Sequence, residues 1–203
     1  MLQIVSLVIV RKSKLPSKEK IFGIGFHKTG TTSLSEALKL LGFSVTGPNG
    51  INDPNIAVNA SALASRLVPK FDAFQDNPWP ILYKELYSDF PDAKFILTYR
   101  DPQSWIESQV RHFGKQQTPM RKWIYGKGCP EGNERTYLKR YQKHNRDVVS
   151  YFKKKGKRIL LMDLEKGHGW VELCQYLEVD IPDVTFPHAN KAETREKSLA
   201  NKR

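Results

Sequence analysis

The chain has 203 residues, 39% of them apolar, and a formal net charge of +12. That length and apolar content argue for one globular domain with a full core and against a disordered chain. The charge points to an anionic ligand or partner, but the lysines and arginines are scattered and no aromatic-interleaved recognition motif accompanies them, which argues against nucleic acid.

Leu2 to Val10 is apolar apart from Gln3 and Ser6. The run is too short to span a bilayer, and it lacks the basic start and cleavage site of a signal peptide. Residues 1–19 therefore read as an N-terminal arm and linker, with no transmembrane segment. Ile21 to Gly25 then reads as a short buried strand, followed by a glycine-flanked loop. A helix comes next: Leu34, Ala37, Leu38 and Leu41 recur at i, i+3, i+4 and i+7, and Gly42 stands where a C-terminal cap belongs. Strand, glycine turn and helix together present backbone N–H groups and the positive helix end to an anion. Gly25 and Gly30 would let the backbone close round a phosphate. Lys28 adds a full charge, and Thr31, Thr32 and Ser33 add hydroxyls. The pattern is close to the nucleotide-hydrolase loop G-x-x-x-x-G-K-[ST], but Thr31 occupies the lysine position and the lysine lies at Lys28. A triphosphate enzyme uses that missing lysine on its β- and γ-phosphates, so this loop suits a smaller anionic group.

Phe26-His27-Lys28-Thr29-Gly30-Thr31-Thr32-Ser33-Leu34 resembles the 5′-phosphosulfate-binding loop of the P-loop sulfotransferases. Those enzymes take their sulfuryl group from 3′-phosphoadenosine 5′-phosphosulfate (PAPS). The resemblance implies that His27, Lys28, Thr29, Gly30, Thr31, Thr32 and Ser33 form part of a donor site. Many relatives carry proline where this chain has His27, so no role for that histidine follows from the resemblance.

Further along, Phe43 to Thr46 is a second short strand. Asp53-Pro54 opens a helix with Ile56, Ala60, Leu63, Ala64 and Leu67 on its apolar face, ended by Pro69. Phe71 to Gln75 is a third strand, followed directly by Asp76. A helix from Pro78 carries Leu82, Leu86 and Phe90. Lys94 to Tyr99 is the clearest strand, ending at Arg100, and Asp101-Pro102 caps a helix with Trp105, Ile106, Val110 and Phe113 inward. Lys115 to Gly132 has no clean period and reads as a long loop or short helical turns. A long helix from Glu134 to Lys155 follows, with Tyr137, Tyr141, His144, Val148 and Phe152 along one side. Arg158 to Met162 is a fifth strand, ending at Asp163, and Trp170 to Leu177 is a last core helix. Cys174 belongs to that helix's apolar stripe. With Cys129 it makes neither a zinc motif nor a C-x-x-C pair, which favours a reducing, cytoplasmic setting.

Strands alternating with helices predict a parallel sheet covered on both faces. Together with the resemblance this gives an α/β fold: a single-domain, P-loop-type three-layer sandwich over residues 20–190, with a central, mostly parallel sheet of about five strands and a basic tail at 191–203. Ligands in such sheets bind outside the carboxyl ends of the strands. The Gly25–Ser33 loop, Asp76, Arg100 and Asp163 should therefore share one rim.

Arg100 and Ser108 form a second signal: a guanidinium at a strand end and a hydroxyl in the second turn of the next helix can hold a phosphate together. In sulfotransferases a pair at this spacing grips the 3′-phosphate of the donor. Phe71 to Trp79, Lys94 to Asp101 and Phe186 to Lys191 also resemble a small single-domain subgroup of that family. The implied activity is in-line sulfuryl transfer from PAPS to a hydroxyl or amine of a small-molecule, glycan or lipid acceptor, with no metal. Lys28 would stabilise charge on the leaving phosphate. Asp76 is the leading general base, with a helix-capping role as its alternative, and His27 is the second candidate. His144 reads as a core histidine, Asp163 as a capping residue, and His112 and His188 are undecided. Trp79, Tyr83, Trp123 and the 115–132 segment are candidate acceptor-pocket walls. Two other classes compete: a P-loop kinase or nucleotide hydrolase, which Thr31 opposes, and a non-catalytic polyanion-binding module.

Overall fold

In a computed structural model of the chain, residues 19–188 are described. The expected N-terminal arm apart from Glu19, the basic tail, and the second half of the Phe186–Lys191 motif lie outside them. Five strands form one parallel sheet: β1 (Ile21–Gly23), β2 (Val45–Thr46), β3 (Ala73–Phe74), β4 (Lys94–Thr98) and β5 (Leu160–Met162), in the order β2-β3-β1-β4-β5. Every neighbouring pair is parallel, with Ile21 beside Ala73 and Lys94, and Ile96 beside Leu160.

The period-two alternation of these strands divides the core. Ile21, Ala73, Ile96 and Met162 join Leu34, Ala37 and Leu38 of helix α1 (Thr31–Leu40) and Leu173, Cys174 and Leu177 of α7 (Trp170–Leu177). Phe22, Phe74, Phe95 and Leu97 face the other way. There they meet Ile56, Ala60 and Ala64 of α2 (Ile56–Leu67), Tyr83 and Leu86 of α3 (Tyr83–Asp89), and Tyr137, Tyr141, Val148 and Phe152 of α6 (Glu134–Lys154). A sheet with apolar side chains on both faces needs a helical layer on each, and the three-layer α/β arrangement follows. Helix α4 (Pro102–Phe113) and α5 (Pro119–Tyr125) pack beside α6 and carry the loop side of the rim. No described helix is long and apolar enough to cross a membrane.

Element starts differ from expectation where side chains delay the helix. Asp53 accepts from the Asn55 amide and from Asn59 Nδ2, both at 2.8 Å, so it organises an entry turn and α2 proper begins at Ile56. After Pro78 the chain makes turns held by Ile81 N–H to the Pro78 carbonyl and Leu82 N–H to the Trp79 carbonyl, and α3 begins only at Tyr83. The aperiodic 115–132 segment contains α5, started by Thr118 Oγ1 accepting from the Arg121 amide with Pro119 in the first turn. Asp101 caps α4 as expected, accepting from the Ser104 amide at 2.9 Å. Cys129 and Cys174 are both free, and Cys174 is buried.

Candidate active site

All five strands run the same way, so the segments that leave them emerge on one edge. The β1–α1 loop, Asp76 after β3, Arg100 after β4 and Asp163 after β5 share that rim. From β1 the chain moves to β2 and β3 on one side, then crosses to β4 and β5 on the other. The β1–α1 loop therefore stands where the strand order reverses, the usual ligand crevice of an open parallel sheet.

The loop is held tightly from beneath. The His27 carbonyl accepts from Trp105 Nε1 and Gln109 Nε2, each at 3.0 Å. Trp105 in turn stacks on Tyr141, with ring centroids 4.2 Å apart. A Cβ on Gly25 would fall 2.2 Å from the Thr98 carbonyl oxygen, so the approach of β4 by itself requires a glycine here. Gly30 has φ 95°, and a Cβ there would meet the Leu164 side chain at 2.4 Å. The Thr29 hydroxyl donates to the Phe26 carbonyl at 2.6 Å and lies 2.7 Å from Thr98 Oγ1, so it points inward and only the Thr29 backbone remains on the ligand side. Helix α1 has neither a side-chain cap nor an acidic residue in its first turn. Its leading amides have no intrahelical acceptor, and Lys28, Gly30, Thr31 and Thr32 line a cavity of about 320 Å³ in front of them.

Asp76 lines the same cavity. Its carboxylate accepts from Thr31 Oγ1 at 3.0 Å and from the Asn77 amide at 2.7 Å. The helix-capping alternative does not hold, because α3 starts seven residues later, at Tyr83. Burial pushes the Asp76 carboxyl above its ordinary range, opposed by the Asn77 amide, Thr31 and the Lys28 charge.

His27 is buried beside it, and both ring nitrogens are engaged. Nδ1 accepts from Asn77 Nδ2 at 2.5 Å, which leaves Nε2–H to donate to the Tyr125 hydroxyl at 3.2 Å. Burial, with the charge of Arg121 next, lowers its pKa to about 3. Asp76 Oδ1 lies 4.0 Å from His27 Nδ1, but a neutral ring accepting at that nitrogen makes no ion pair with it.

Arg100 stands on the other side of the loop, where a second, more open cavity of about 630 Å³ is lined by Tyr99, Arg100, Asn145, Asp163 and Glu165. Its Nη1 donates to the Lys28 carbonyl at 3.4 Å, Nη2 pairs with Glu165, and Nε is buried without a partner. Ser108 is buried in α4 and is not among the residues that line either cavity. Asp163 accepts from the Glu165 amide and starts a turn, as its capping role predicts. His144 is a core residue as expected, bonded to the Ile24 carbonyl at 2.8 Å and stacked on Phe26.

The cavity wall differs from the sequence reading. Trp79 and Tyr83 are buried in the core: Trp79 packs on Phe74 and Tyr83 on Tyr151. Trp123 lines a separate groove against α2. The wall near Asp76 is instead formed by Pro48, Ile51, His112, Phe113, Thr118, Met120 and Arg121. Three of these, Thr118, Met120 and Arg121, fall in the aperiodic 115–132 segment, the one signal that could have found them. His188 is exposed near Phe186 and lines neither cavity. Among the described residues, no cluster of three or more His, Cys, Asp or Glu side chains is placed to hold a metal ion.

A family model described as "Sulfotransferase domain" matches residues 20–131 and 119–195. Ava biosynthesis cluster protein M of Aspergillus versicolor is 23% identical over 211 residues, covering 83% of this chain and 80% of that protein. A sulfotransferase structure from Alicyclobacillus acidocaldarius superposes with a TM-score of 0.54 at 16% identity over 90% of each chain, which is a likeness of fold.

Proposed function

The chain belongs to the sulfotransferase family, and on that premise we propose that it transfers a sulfuryl group from PAPS to a hydroxyl or amine acceptor. The observation that carries this reading is the meeting of two candidate anion sites at the strand-order reversal, where Arg100 Nη1 bonds the Lys28 carbonyl. The residues fit a donor with two separated phosphates. Lys28 and the uncapped start of α1 suit the 5′ end, and Arg100, whose buried Nε lacks a partner, suits the 3′-phosphate. Ser108, the other half of the expected pair, is buried and lines neither cavity, so Arg100 carries this part of the reading.

The donor, when bound, supplies an electrophilic sulfuryl group on a phosphate leaving group. Lys28 would hold negative charge on that phosphate through a preorganised cation. Asp76 would accept the proton of the acceptor hydroxyl. A carboxyl whose pKa is raised by burial is better matched to that task near neutral pH than an exposed one. His27 holds the wall of the site through Asn77 and Tyr125 rather than taking the proton. The free thiols Cys129 and Cys174 fit a reducing, cytoplasmic setting for this chemistry.

The test is ligand-induced stabilisation. At a hundred times its dissociation constant, 3′-phosphoadenosine 5′-phosphate should add roughly 2.7 kcal/mol, a rise in Tm of about 5–10 °C, without magnesium. A larger shift with ATP and magnesium would replace this reading with a kinase.

A further inference from the structure

The proposed transfer leaves one buried charge in the cavity without a task. Arg121, near the start of α5, is 4% exposed and lines the same cavity as Lys28 and Asp76. Its Nε donates to the Gly128 carbonyl at 3.0 Å and its Nη2 to the Gln116 carbonyl, and neither bond uses Nη1. Its guanidinium lies over the Phe113 ring, 4.4 Å from the centroid. Among the described residues no carboxylate forms an ion pair with it. Carbonyls and a ring face orient a guanidinium without neutralising it, and a buried charge without a counter-ion is costly. Burial does draw its pKa below the ordinary guanidinium range.

The cavity's charge balance indicates what would complete it. Its lining carries two fixed cations, Lys28 and Arg121, and one carboxylate, Asp76. Lys28 is assigned to the donor. Arg121 and Asp76 carry opposite charges but form no ion pair, so a monoanionic group can pair directly with the guanidinium, while a phosphate dianion would bring twice that charge toward Asp76. The rest of the wall includes Ile51, Phe113 and Met120, and about 320 Å³ holds a small molecule but not an extended glycan or lipid chain.

We propose that Arg121 is the acceptor-binding residue and that the acceptor is a compact hydroxy acid. Its carboxylate sits on Arg121, its apolar body against Ile51, Phe113 and Met120, and its hydroxyl toward Asp76. The hydroxyl's part in this rests on the sulfotransferase reading; the preference for a carboxylate rests on Arg121 alone.

The test is equilibrium binding of a matched pair, 4-hydroxyphenylacetate and its neutral amide, to the full chain, with and without 3′-phosphoadenosine 5′-phosphate. The acid should bind at least about tenfold more tightly than the amide, the order of effect for a desolvated charge pair. Arg121→Gln should abolish that ratio and Arg121→Lys should keep part of it. Equal binding of acid and amide by the unaltered chain, or no binding of either, overturns the proposal even if Arg121→Gln fails to fold. A ratio lost on Lys28→Ala but kept on Arg121→Gln overturns it too, by placing the carboxylate on the β1–α1 loop. Because binding is read rather than turnover, selective acid binding without sulfuryl transfer would sink the functional reading alone. Transfer with equal binding of acid and amide would sink this one alone.

Discussion

Lys28 and Asp76 are two of the three non-glycine residues described with positive φ, at 66° and 63°. Such conformations cost of order 1 kcal/mol or more and persist where surrounding contacts impose them. Here both flank one cavity, and both are assigned to the transfer. Asparagine tolerates this backbone region better than most residues. Its amide oxygen could still accept from the Asn77 amide, as Asp76 Oδ1 does, while its Nδ2, in the place of Oδ2, could donate to the Thr31 hydroxyl. The folded pKa of Asp76 lies above its unfolded value, so its ionised form weakens the fold once the pH exceeds the unfolded pKa. Asp76→Asn should therefore melt at or above the temperature of the unaltered chain at pH 7, while turnover falls about 10²-fold or more. His27→Ala should lose less turnover but melt lower, since it empties a buried site bonded to Asn77 and Tyr125. Near-normal turnover in Asp76→Asn, with none in His27→Ala, would transfer the base role to the histidine.

At the scale of elements, the turn after β5 is clasped onto the β1–α1 loop. Leu164 packs where a Gly30 Cβ would be, and Glu165, in the same turn, pairs with Arg100. Any phosphate that binds Arg100 must share it with this carboxylate or displace it. Glu165 is 47% exposed, so the pair is solvent-screened and its worth lies within about 1 kcal/mol. Glu165→Gln should accordingly tighten binding of 3′-phosphoadenosine 5′-phosphate by up to about fivefold. Arg100→Ala should weaken it far more than it weakens adenosine 5′-phosphate, which has no 3′ group to grip. Titrations of both nucleotides against both variants check this. Equal weakening of the two by Arg100→Ala would make Arg100 a purely structural link between β4 and the loop.

For the whole molecule, two histidines are buried and neutral, His144 on α6 and His27 in the β1–α1 loop. Burial lowers His27 to about 3 and His144 to about 4. The unfolded chain protonates both near their ordinary pKa of 6.5, while the fold keeps them neutral. Their contribution to stability is full above that value and drains away as the pH falls toward the folded values, with a slope approaching about 1.4 kcal/mol per pH unit for each. Asp76 acts in the opposite sense because its folded pKa is raised. Asp72, Asp147 and Glu172 have lowered folded pKa values, so their losses come at lower pH. Urea unfolding should therefore show stability falling by on the order of 3 kcal/mol between pH 7 and pH 5. A flat profile across that window would mean that the two rings are protonated in the fold.

The sequence by itself determined the layering. The apolar positions of α6 at Tyr137, Tyr141, His144, Val148 and Phe152 are all buried, and each of the five anticipated strands exists. The placement of the β1–α1 loop, Asp76, Arg100 and Asp163 on one rim follows from parallel strands alone. Periodicity records which face of an element avoids water, and that is a local property. Only the tertiary structure decided what each polar group on the rim faces. Asn77 reaches His27 across 50 residues of sequence and Tyr125 reaches it across 98, and these two bonds engage both ring nitrogens. Thr98, 69 residues from Thr29, turns that hydroxyl inward. Trp79 and Tyr83 entered the core, while Arg121 and Met120 came to the cavity from a stretch without period. A hydrogen bond or a buried charge depends on a partner at one particular point in space, and residue spacing along the chain does not specify that point.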